Sequence, residues 1–370
     1  MPKKGLKILH VSESHGWSGG AAQALLLASE LGKLGYENIF ACSSGGGLYT
    51  RAAQAGFRVF DFKPRRDYNL RAALAISSII KAERPAAVHA HHPKAHTMCV
   101  LGKILSGRNP ALIVSRRVSH PIRSGFFARL KYRARAINAY AAVAESVRAQ
   151  LIAAGVEPER VFTVYSGTDT SLFYPRPAAP KIIAELSLPP GVPVVSLIGN
   201  FSRDKGQHIL AAAGAALIKT GREFILLFAG QKTDSPEMRA ILSQAGFPLE
   251  RARLLGLRHD VPELLSVTSV SVNCAVKGEA LSGSVRESLA MGVPVIASDI
   301  SGNGEIVSEG KTGMLFEPGD YTALAEKLAG ALSDPGRLTA MSKAGVELVR
   351  ERFSSGRMAA DTLALYRKFV

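Results

Sequence analysis

The sequence predicts an α/β protein built from two doubly wound parallel β-sheet domains. Apolar, β-branched stretches alternate with amphipathic ones, first from residues 6–12 and again from residues 192–199. Such alternation is typical of a parallel sheet covered by helices on both faces. A length of 370 residues with 47% hydrophobic residues is sufficient for two domains of ordinary size.

Prolines mark the expected boundary between the domains, because they accumulate between residues 175 and 190. We therefore expect a first domain over residues 1–175, a linker over 176–191 and a second domain over 192–352. The predicted helix at residues 355–369 follows a domain that is already complete. Residues 353–370 are expected to return to the first domain as a C-terminal helix.

Each predicted strand is a short apolar run that ends in polar or glycine residues, and each predicted helix follows such an end. The strands of the first half are predicted at residues 6–12, 38–44, 57–62, 86–92, 111–117, 139–146 and 160–167. Those of the second half are predicted at residues 192–199, 223–230, 252–257, 270–276 and 293–298.

The most informative stretch covers residues 274–299, which predict a strand end, a Gly/Ser loop, a helix over 284–291 and a further strand. In a parallel sheet, such a loop lies at the carboxyl end of a strand, and the helix start attracts phosphate. Glu279 and Glu287 flank the loop. Two interpretations of Glu287 remain open, since Ser284-x-x-Glu287 also fits a capping box that needs no ligand.

Other candidate site residues also follow predicted strands. Gly19 and Gly20 permit close backbone approach at a helix start, although the turn lacks the G-x-G-x-x-G dinucleotide fingerprint. His89 and His91 share one face of their strand, while His92 points away. Arg203 and Lys205 follow the first strand of the second half and could meet a phosphate. Each of these residues could equally be structural or a surface residue.

The positive charge of the protein is concentrated in its first half. Residues 1–176 contain 25 Lys and Arg against 10 Asp and Glu, a net charge of +15 out of a total of +16. Basic residues with interleaved aromatics predict a patch for an anionic membrane surface or an acceptor, and an ordinary surface helix is the alternative. The patch comprises Arg116, Arg117, Arg123, Arg129, Lys131, Arg133 and Arg135. Nucleic acid is not expected as a partner, since no binding motif accompanies the patch.

Composition also limits the compartment and the cofactors. The three cysteines form no C-x-x-C pair, and no secretory signal is apparent, so we expect a reducing cytoplasm without disulfides. No apolar run reaches the length that spans a bilayer. No metal site is expected, because the sequence shows no H-x3-H helix pair and no nearby carboxylate that would complete a site with the histidines.

Taken in order, several motifs make the chain resemble retaining glycosyltransferases of family 4, which have the GT-B fold. These are Gly19-Gly20, the V-H-A-H strand, A-V-A-E-S, S-G-T-D, D-K-G, Glu279-x7-Glu287 with R-E-S-L-A-M-G-V-P-V-I-A-S, G-N-G-E-I-V and T-G-M-L-F. The resemblance covers essentially the whole chain. It implies two Rossmann-like domains facing a central cleft, with the acceptor bound by the first and a nucleotide sugar by the second.

The resemblance also implies roles for individual residues. Glu279, His91 and Lys205 would be catalytic: Glu279 would face the transferred sugar, His91 would lie beside the acceptor, and Lys205 would neutralise the leaving diphosphate. Glu287 would accept hydrogen bonds from the ribose. The remaining donor-binding positions would be Gly19, Gly20, Arg203, Leu281, Ser282, Gly283 and Ser284. The family often has an arginine where this chain has Asn200, and Arg203 could replace it.

The function implied is transfer of a sugar, with retention and without a metal or cofactor, from a nucleotide diphosphate sugar to an envelope glycan or lipid-linked acceptor. Lipopolysaccharide core is one such acceptor. The protein would then act as a peripheral protein on the inner face of the cytoplasmic membrane. The alternatives are a nucleotide-sugar epimerase of the same fold and a non-catalytic nucleotide-sugar or lipid-binding protein.

Overall fold

The computed structural model describes residues 5–64, 68–119, 122, 125, 130–300 and 302–370. The chain divides into two compact units. The first unit is Met1–Gly167 together with Ser354–Val370, and the second is Thr168–Phe353. Each unit contains a parallel sheet and helices, so the predicted fold class is confirmed.

The sheet of the first unit has seven strands in the order β3-β2-β1-β4-β5-β6-β7, and all neighbouring pairs are parallel. These strands are short and mostly buried on both faces, as expected for a parallel sheet. Their bounds are Lys7–Ser12 (β1), Glu37–Cys42 (β2), Arg58–Asp61 (β3), Ala87–Ala90 (β4), Ala111–Arg116 (β5), Ala139–Ala142 (β6) and Val161–Thr163 (β7).

In the described part of the chain, helices connect five of the six pairs of consecutive strands in this sheet, since parallel pairing requires a crossover. Their bounds are Gly19–Lys33 (α1), Gly47–Gln54 (α2), Leu70–Glu83 (α3), Pro93–Ser106 (α4) and Glu145–Ala153 (α5). The C-terminal helix, Ser355–Tyr366, packs in the same unit. Its Met358 and Leu363 belong to a buried cluster with Ile8 of β1 and Leu31 of α1, so the predicted return of this helix is confirmed.

The sheet of the second unit has six parallel strands in the order β10-β9-β8-β11-β12-β13. Their bounds are Val194–Ile198 (β8), Ile225–Ala229 (β9), Ala252–Leu254 (β10), Val270–Asn273 (β11), Val295–Ser298 (β12) and Gly313–Phe316 (β13). The core on one face includes the fully buried Phe224 and Phe228 with Met238.

The α-helices of this unit are Pro180–Glu185 (α6), Gln207–Lys219 (α7), Pro236–Ala245 (α8), Val261–Ser266 (α9), Gly283–Ala290 (α10), Asn303–Ile306 (α11), Tyr321–Ser333 (α12) and Pro335–Leu348 (α13). A π-helical turn, Val349–Phe353, ends the unit. No helix formed by the described residues is both long and apolar enough to cross a membrane.

The proline-rich stretch is not a linker. Residues 176–191 contain α6, and its Ile182 joins a buried cluster with Val194 and Leu227 of the second sheet. The chain passes between the units at Gly167 and Thr168 instead. Proline at the first turn of a helix lacks an N–H that would have no partner in the helix, so Pro180 favours the start of α6 rather than an open chain.

Candidate active site

The strand order reverses at one point in each sheet, between β1 and β4 and between β8 and β11. Ligands of doubly wound sheets bind outside the carboxyl ends of the strands at such a point. In the first unit, Ser12 ends β1 and His91 follows β4. In the second unit, Lys205 follows β8 and Glu279 follows β11. The topology therefore brings the predicted residues of each unit to the position where a ligand is expected.

Gly206 holds the loop after β8 against the loop after β11. Its φ is +71°, and a Cβ at this position would lie 2.0 Å from the carbonyl oxygen of Cys274. Only glycine permits this conformation together with this approach. The contact brings the preceding residue, Lys205, to the second loop, where its Nζ forms an ion pair with Oε1 of Glu279.

This ion pair joins two of the three predicted catalytic residues. The Glu279 side chain is 13% exposed and the Lys205 side chain 39% exposed. Without a ligand the ammonium group therefore already has an anionic partner. A diphosphate that reaches Lys205 would compete with Glu279, and the displaced carboxylate would be available to accept hydrogen bonds from sugar hydroxyls.

Helix α10 begins one residue earlier than predicted, at Gly283, and its N-cap is Ser282. Ser284 therefore lies inside the helix, so the predicted capping box is wrong. The Ser282 hydroxyl accepts a hydrogen bond from Nδ2 of Asn273 over 3.0 Å and makes no cap bond to the helix. The first amides of an α-helix have no partner within it, so the start of α10 can bind an anion.

Glu287 lies one turn into α10 beside a buried cation that the sequence analysis missed. Arg286 is 4% exposed, and its Nη1 donates to the hydroxyl of Thr168 over 2.9 Å. Burial lowers the pKa of Arg286 to about 10, while Glu287 and Glu279 both raise it. Burial raises the pKa of Glu287, and Arg286 opposes this shift. The only available signal was its place beside Glu287 in the R-E-S motif.

Arg203 and Asn200 have different environments in the same loop. Arg203 is exposed on a short 3-10 turn, Arg203–Lys205. The Asn200 side chain accepts a hydrogen bond from the backbone amide of Gln231 over 2.9 Å and so fixes the loop after β9. Asn200 therefore has a structural partner, while Arg203 is accessible to a ligand.

The two glycines at the start of α1 differ in their surroundings. The helix begins at Gly19, and the Ser18 hydroxyl caps it by accepting from the amide of Ala21. A Cβ on Gly20 would lie 2.8 Å from Nε2 of His92, whereas the space around Gly19 is open. Gly20 therefore allows α1 to approach the end of β4, and Gly19 leaves the helix start accessible.

The strand histidines form a buried row with a third histidine from β1. The rings of His89 and His91 stack with centroids 4.2 Å apart, and His10 stacks on His91 at 5.2 Å. His92 points away from this row, as predicted, and its Nδ1 is 2.9 Å from the Ser12 hydroxyl. Burial lowers the pKa of His10 to about 4 and holds the pKa of His89 and of His91 well below the usual value.

The ring nitrogens of His10, His89 and His91 are close enough to hold a metal ion, but hydrogen bonds occupy most of them. His10 lies between His91 and Asn38, and His89 lies between Tyr366 and Ser115. Only Nδ1 of His91 has no partner among the described residues. The three histidines therefore form a hydrogen-bonded network in which most ring nitrogens already have a partner other than a metal ion.

A cavity of about 360 Å³ opens beside this row in the first unit. It is lined by residues from the start of α1, from His91 to His96, and from the end of β5. Arg116 and Arg117 line it too, and Arg116 is only 8% exposed. These two arginines therefore belong to an internal site rather than to a surface patch.

The predicted basic patch is thus divided, which corrects the expectation of one continuous surface. Arg116 and Arg117 follow the carboxyl end of β5, whereas Arg133 and Arg135 are exposed near Asn138, at the amino end of β6. Since β5 and β6 are parallel, these groups lie at opposite edges of the sheet. Nζ of Lys131 donates to the carbonyl oxygen of Pro93 over 2.7 Å. Arg123 and Arg129 lie outside the described residues.

Comparison with protein families matches both halves of the chain. Residues 17–172 match the model described as Glycosyltransferase Family 4, and residues 192–334 match that described as Glycosyl transferases group 1. Each half of the chain thus matches a glycosyltransferase family model. The family match agrees with the resemblance inferred from the ordered motifs.

Relatives of these glycosyltransferase domains include enzymes with several different names. The chain is 32% identical over 251 residues to the α-maltose-1-phosphate synthase of Mycolicibacterium smegmatis, an alignment that covers 63% of this chain and 64% of that protein. It is 25% identical over 317 residues to the N-acetyl-α-D-glucosaminyl L-malate synthase of Bacillus anthracis, covering 84% and 81%. The first alignment thus spans less than two thirds of that relative.

Solved structures share the GT-B fold of these domains. A glycosyltransferase from Rickettsia africae is similar with a TM-score of 0.88 and 20% identity, over 98% of both chains. HepE of Anabaena, crystallised with UDP and glucose, is similar with a TM-score of 0.83 and 19% identity, over 98% of this chain and all of that one. At these identities the likeness shows the fold.

Proposed function

We propose that this protein is a retaining glycosyltransferase that moves a sugar from a nucleotide diphosphate sugar to a hydroxyl group of a glycan or lipid-linked acceptor. The observation that carries the proposal is the ion pair between Lys205 and Glu279 in front of α10. A sugar diphosphate has one negatively charged and one polyhydroxylated end, and this pair offers a cation for the first and a carboxylate for the second.

The donor would bind in the second unit. Its diphosphate would lie against the amides at the start of α10 and beside Lys205, with Arg203 at the exposed side. Glu287 would accept hydrogen bonds from the ribose, and Glu279 from the sugar hydroxyls. The relative HepE was crystallised with UDP and glucose, which supports a nucleotide sugar as the donor.

In the proposed reaction, the bond between the anomeric carbon and the diphosphate oxygen breaks, and that oxygen keeps the electron pair. The acceptor oxygen bonds to the same face of the carbon, so the configuration is retained, and its proton passes to the departing diphosphate. Negative charge grows on the diphosphate, so Lys205 and the fixed N–H dipoles of α10 stabilise the transition state more than the ground state. This charge stabilisation requires no metal ion.

The acceptor would bind in the first unit, next to His91. An envelope glycan or a lipid-linked sugar, such as a lipopolysaccharide core, is compatible with the net charge of +15 in residues 1–176. The exposed Arg133 and Arg135 support contact with an anionic membrane surface. We propose the cytoplasmic face of the membrane as the place of action, which the three buried free cysteines support.

A donor panel tests the proposal. The full chain is incubated with a set of nucleotide diphosphate sugars, with and without glycan and glycolipid acceptors, and the products are identified by mass spectrometry and by the anomeric signals in proton NMR. We expect a glycoside of the donor's own anomeric configuration only when acceptor is present. Epimerised sugar without acceptor would indicate the epimerase alternative, and binding without turnover would indicate a non-catalytic protein.

A further inference from the structure

The start of helix α10 carries a buried cation whose contacts are incomplete. Arg286 is 4% exposed, and its single hydrogen bond among the described residues runs from Nη1 to the Thr168 hydroxyl over 2.9 Å. Nε is enclosed without a partner among the described residues, whereas Nη2, which also has none, is not enclosed. Since buried charged groups are normally paired and hydrogen-bonded, the donor on Nη2 requires a partner.

The Nη2 group lies beside the first residue of the helix. It is 3.9 Å from the position that a Cβ on Gly283 would take. Side chains of a helix lean toward its amino end, so a long side chain such as Arg286 can reach back across the first turn. The amides of Gly283, Ser284 and Val285 have no partner within the helix. A cationic N–H group and the positive end of the helix therefore lie at the same place.

The neighbouring carboxylates do not complete the contacts of this cation. Glu287 and Glu279 lie near enough to raise the pKa of Arg286, but neither forms an ion pair or a hydrogen bond with it. The Glu279 carboxylate is instead in contact with Lys205. Burial lowers the pKa of Arg286 only to about 10, so the guanidinium is charged near pH 7. A desolvated positive charge is thus present at the start of α10 without an anionic contact.

We propose that Arg286 is a further donor-binding residue, and that its Nη2 pairs with a phosphate oxygen of the nucleotide sugar at the start of α10. The diphosphate would then lie between two cations, with Lys205 on the side of the loop after β8 and Arg286 on the side of the helix. Thr168 would be a positioning residue, since its hydroxyl holds Nη1 and so fixes the plane of the guanidinium. The inference rests on the proposed function and names a second residue that binds its leaving group.

The second unit has another arginine that could serve the diphosphate, but its surroundings differ. Arg203 is exposed on the turn after β8. An exposed side chain loses rotamer freedom when it binds a ligand, and water screens its charge, whereas Arg286 is already held and desolvated. Arg286 should therefore contribute more than Arg203 to the binding of the diphosphate.

Calorimetric titration of the full chain measures the contribution of Arg286. The probes are UDP, GDP, ADP and dTDP, and the diphosphate that binds most tightly is compared with its own nucleoside, whose weaker binding is followed by ligand-observed NMR. Arg286→Gln should weaken the diphosphate about thirtyfold and leave the nucleoside unchanged, because only a phosphate contact is lost. Arg203→Gln should weaken the same diphosphate about threefold. An unchanged diphosphate affinity in Arg286→Gln, or an equal loss for the nucleoside, would overturn the inference.

A purely structural role for Arg286 predicts a different pattern. If Arg286 acted only by tying α10 to Thr168, then Thr168→Val would weaken the diphosphate as much as Arg286→Gln does, since it removes the same hydrogen bond with little change in volume. We expect instead a loss of about threefold, because the guanidinium remains beside the helix start. Equal losses in the two variants would show that the hydrogen bond, and not a phosphate contact, is what matters.

Further variants make the test independent of whether Arg286→Gln folds. Arg286→Lys keeps the buried charge but loses the planar fork, and should weaken the diphosphate about fivefold. If Arg286→Gln does not fold, undiminished diphosphate affinity in Arg286→Lys overturns the inference. Arg253→Gln is the matched control, since Arg253 is a half-buried arginine of the same unit that donates to the backbone carbonyls of Leu186 and Ser187. A control that weakens the diphosphate as much as Arg286→Lys would contradict a specific contact.

Failure of this inference can be distinguished from failure of the proposed function. If the unsubstituted protein binds a nucleoside diphosphate and transfers sugar, and the Arg286 variants do so equally well, only this inference is wrong. If the unsubstituted protein binds none of the probes and transfers no sugar from any donor, the proposed function is wrong, and Arg286 has no diphosphate to bind.

Discussion

The ligand sites of the two units lie at the same point of two similar sheets but differ in how their charges are compensated. In the second unit the charged groups compensate one another, as Lys205 with Glu279 and Arg286 beside Glu287. In the first unit the groups facing the cavity are neutral histidines and two arginines. The difference indicates that a ligand of the second site would have to compete with an existing ion pair, whereas the histidines of the first site are held by hydrogen bonds between neutral groups.

Gly206→Ala should have the largest effect, because it breaks the contact on which the second site depends. A Cβ would overlap the carbonyl of Cys274, and φ is +71°. We expect a loss of more than about 4 kcal/mol in the free energy of unfolding, measured in urea. Gly221→Ala is the control, since Gly221 has a φ of +79° in open space and should cost only about 1 kcal/mol. Equal costs would show that the loop contact contributes nothing.

Arg286→Met tests whether the buried charges of the second site depend on each other. Without the guanidinium, Glu287 loses the cation beside it, and we expect about 3 kcal/mol of destabilisation. Adding Glu287→Gln should recover about 1 kcal/mol of this loss, because the remaining side chain is neutral. A double-mutant cycle in urea measures the coupling. Strict additivity would mean that the two side chains act independently.

Glu279→Gln should reduce kcat about hundredfold while the protein remains folded, since the carboxylate that we propose binds the sugar in the transition state becomes an amide. The same change frees Lys205 from its ion pair, so binding of the nucleoside diphosphate product should strengthen. The exposed Glu317 provides the control substitution Glu317→Gln. Weaker binding of the diphosphate would contradict the exchange of partners at Lys205.

The response to pH should differ in sign between the two sites. His10 is buried with a pKa of about 4, below the value near 6.5 of an unfolded chain, so the unfolded state takes up the proton first and stability falls as pH decreases. Between pH 7 and pH 5, His10→Phe should remove about 2 kcal/mol of this loss. The pKa of Glu287 is raised, so protonation of Glu287 stabilises the folded state as pH falls. Glu287→Gln removes this contribution, and the free energy of unfolding should then decrease more steeply with decreasing pH. Urea unfolding at each pH measures how the free energy of unfolding of each variant depends on pH. If both substitutions made this dependence steeper, or both made it shallower, the contrast between the two sites would be wrong.

The smallest effect concerns the surface outside both sites. Neutralising Arg133 and Arg135 should weaken binding to anionic vesicles by about fivefold for each arginine, while transfer to a soluble acceptor is unaffected. A variant with Lys311 and Lys343 replaced by glutamine changes the net charge equally on the second unit. If this control weakens vesicle binding as much, the effect is one of net charge rather than of a membrane-facing edge.

Local pattern was sufficient to predict most strands and helices, because a buried parallel strand and an amphipathic helix each impose a periodicity that can be recognised within a few residues. The predicted strand over residues 111–117 agrees with β5, Ala111–Arg116. The ends of helices are harder to predict from the sequence, because a helix end can depend on a single hydrogen bond. The start of α10 was misplaced by one residue, which was enough to make the capping box wrong.

The sequence by itself determined the alternating fold and the loops that carry Glu279, Lys205 and His91, since these follow from local periodicity and chain order. Only the tertiary structure decided that residues 176–191 pack on the second unit, that Arg116 lines a cavity, and that Asn38 and His10 orient His91. These features depend on side chains from distant parts of the chain. Burial and hydrogen bonding between such groups have no periodic signature, so they become visible only once the sheet has brought them together.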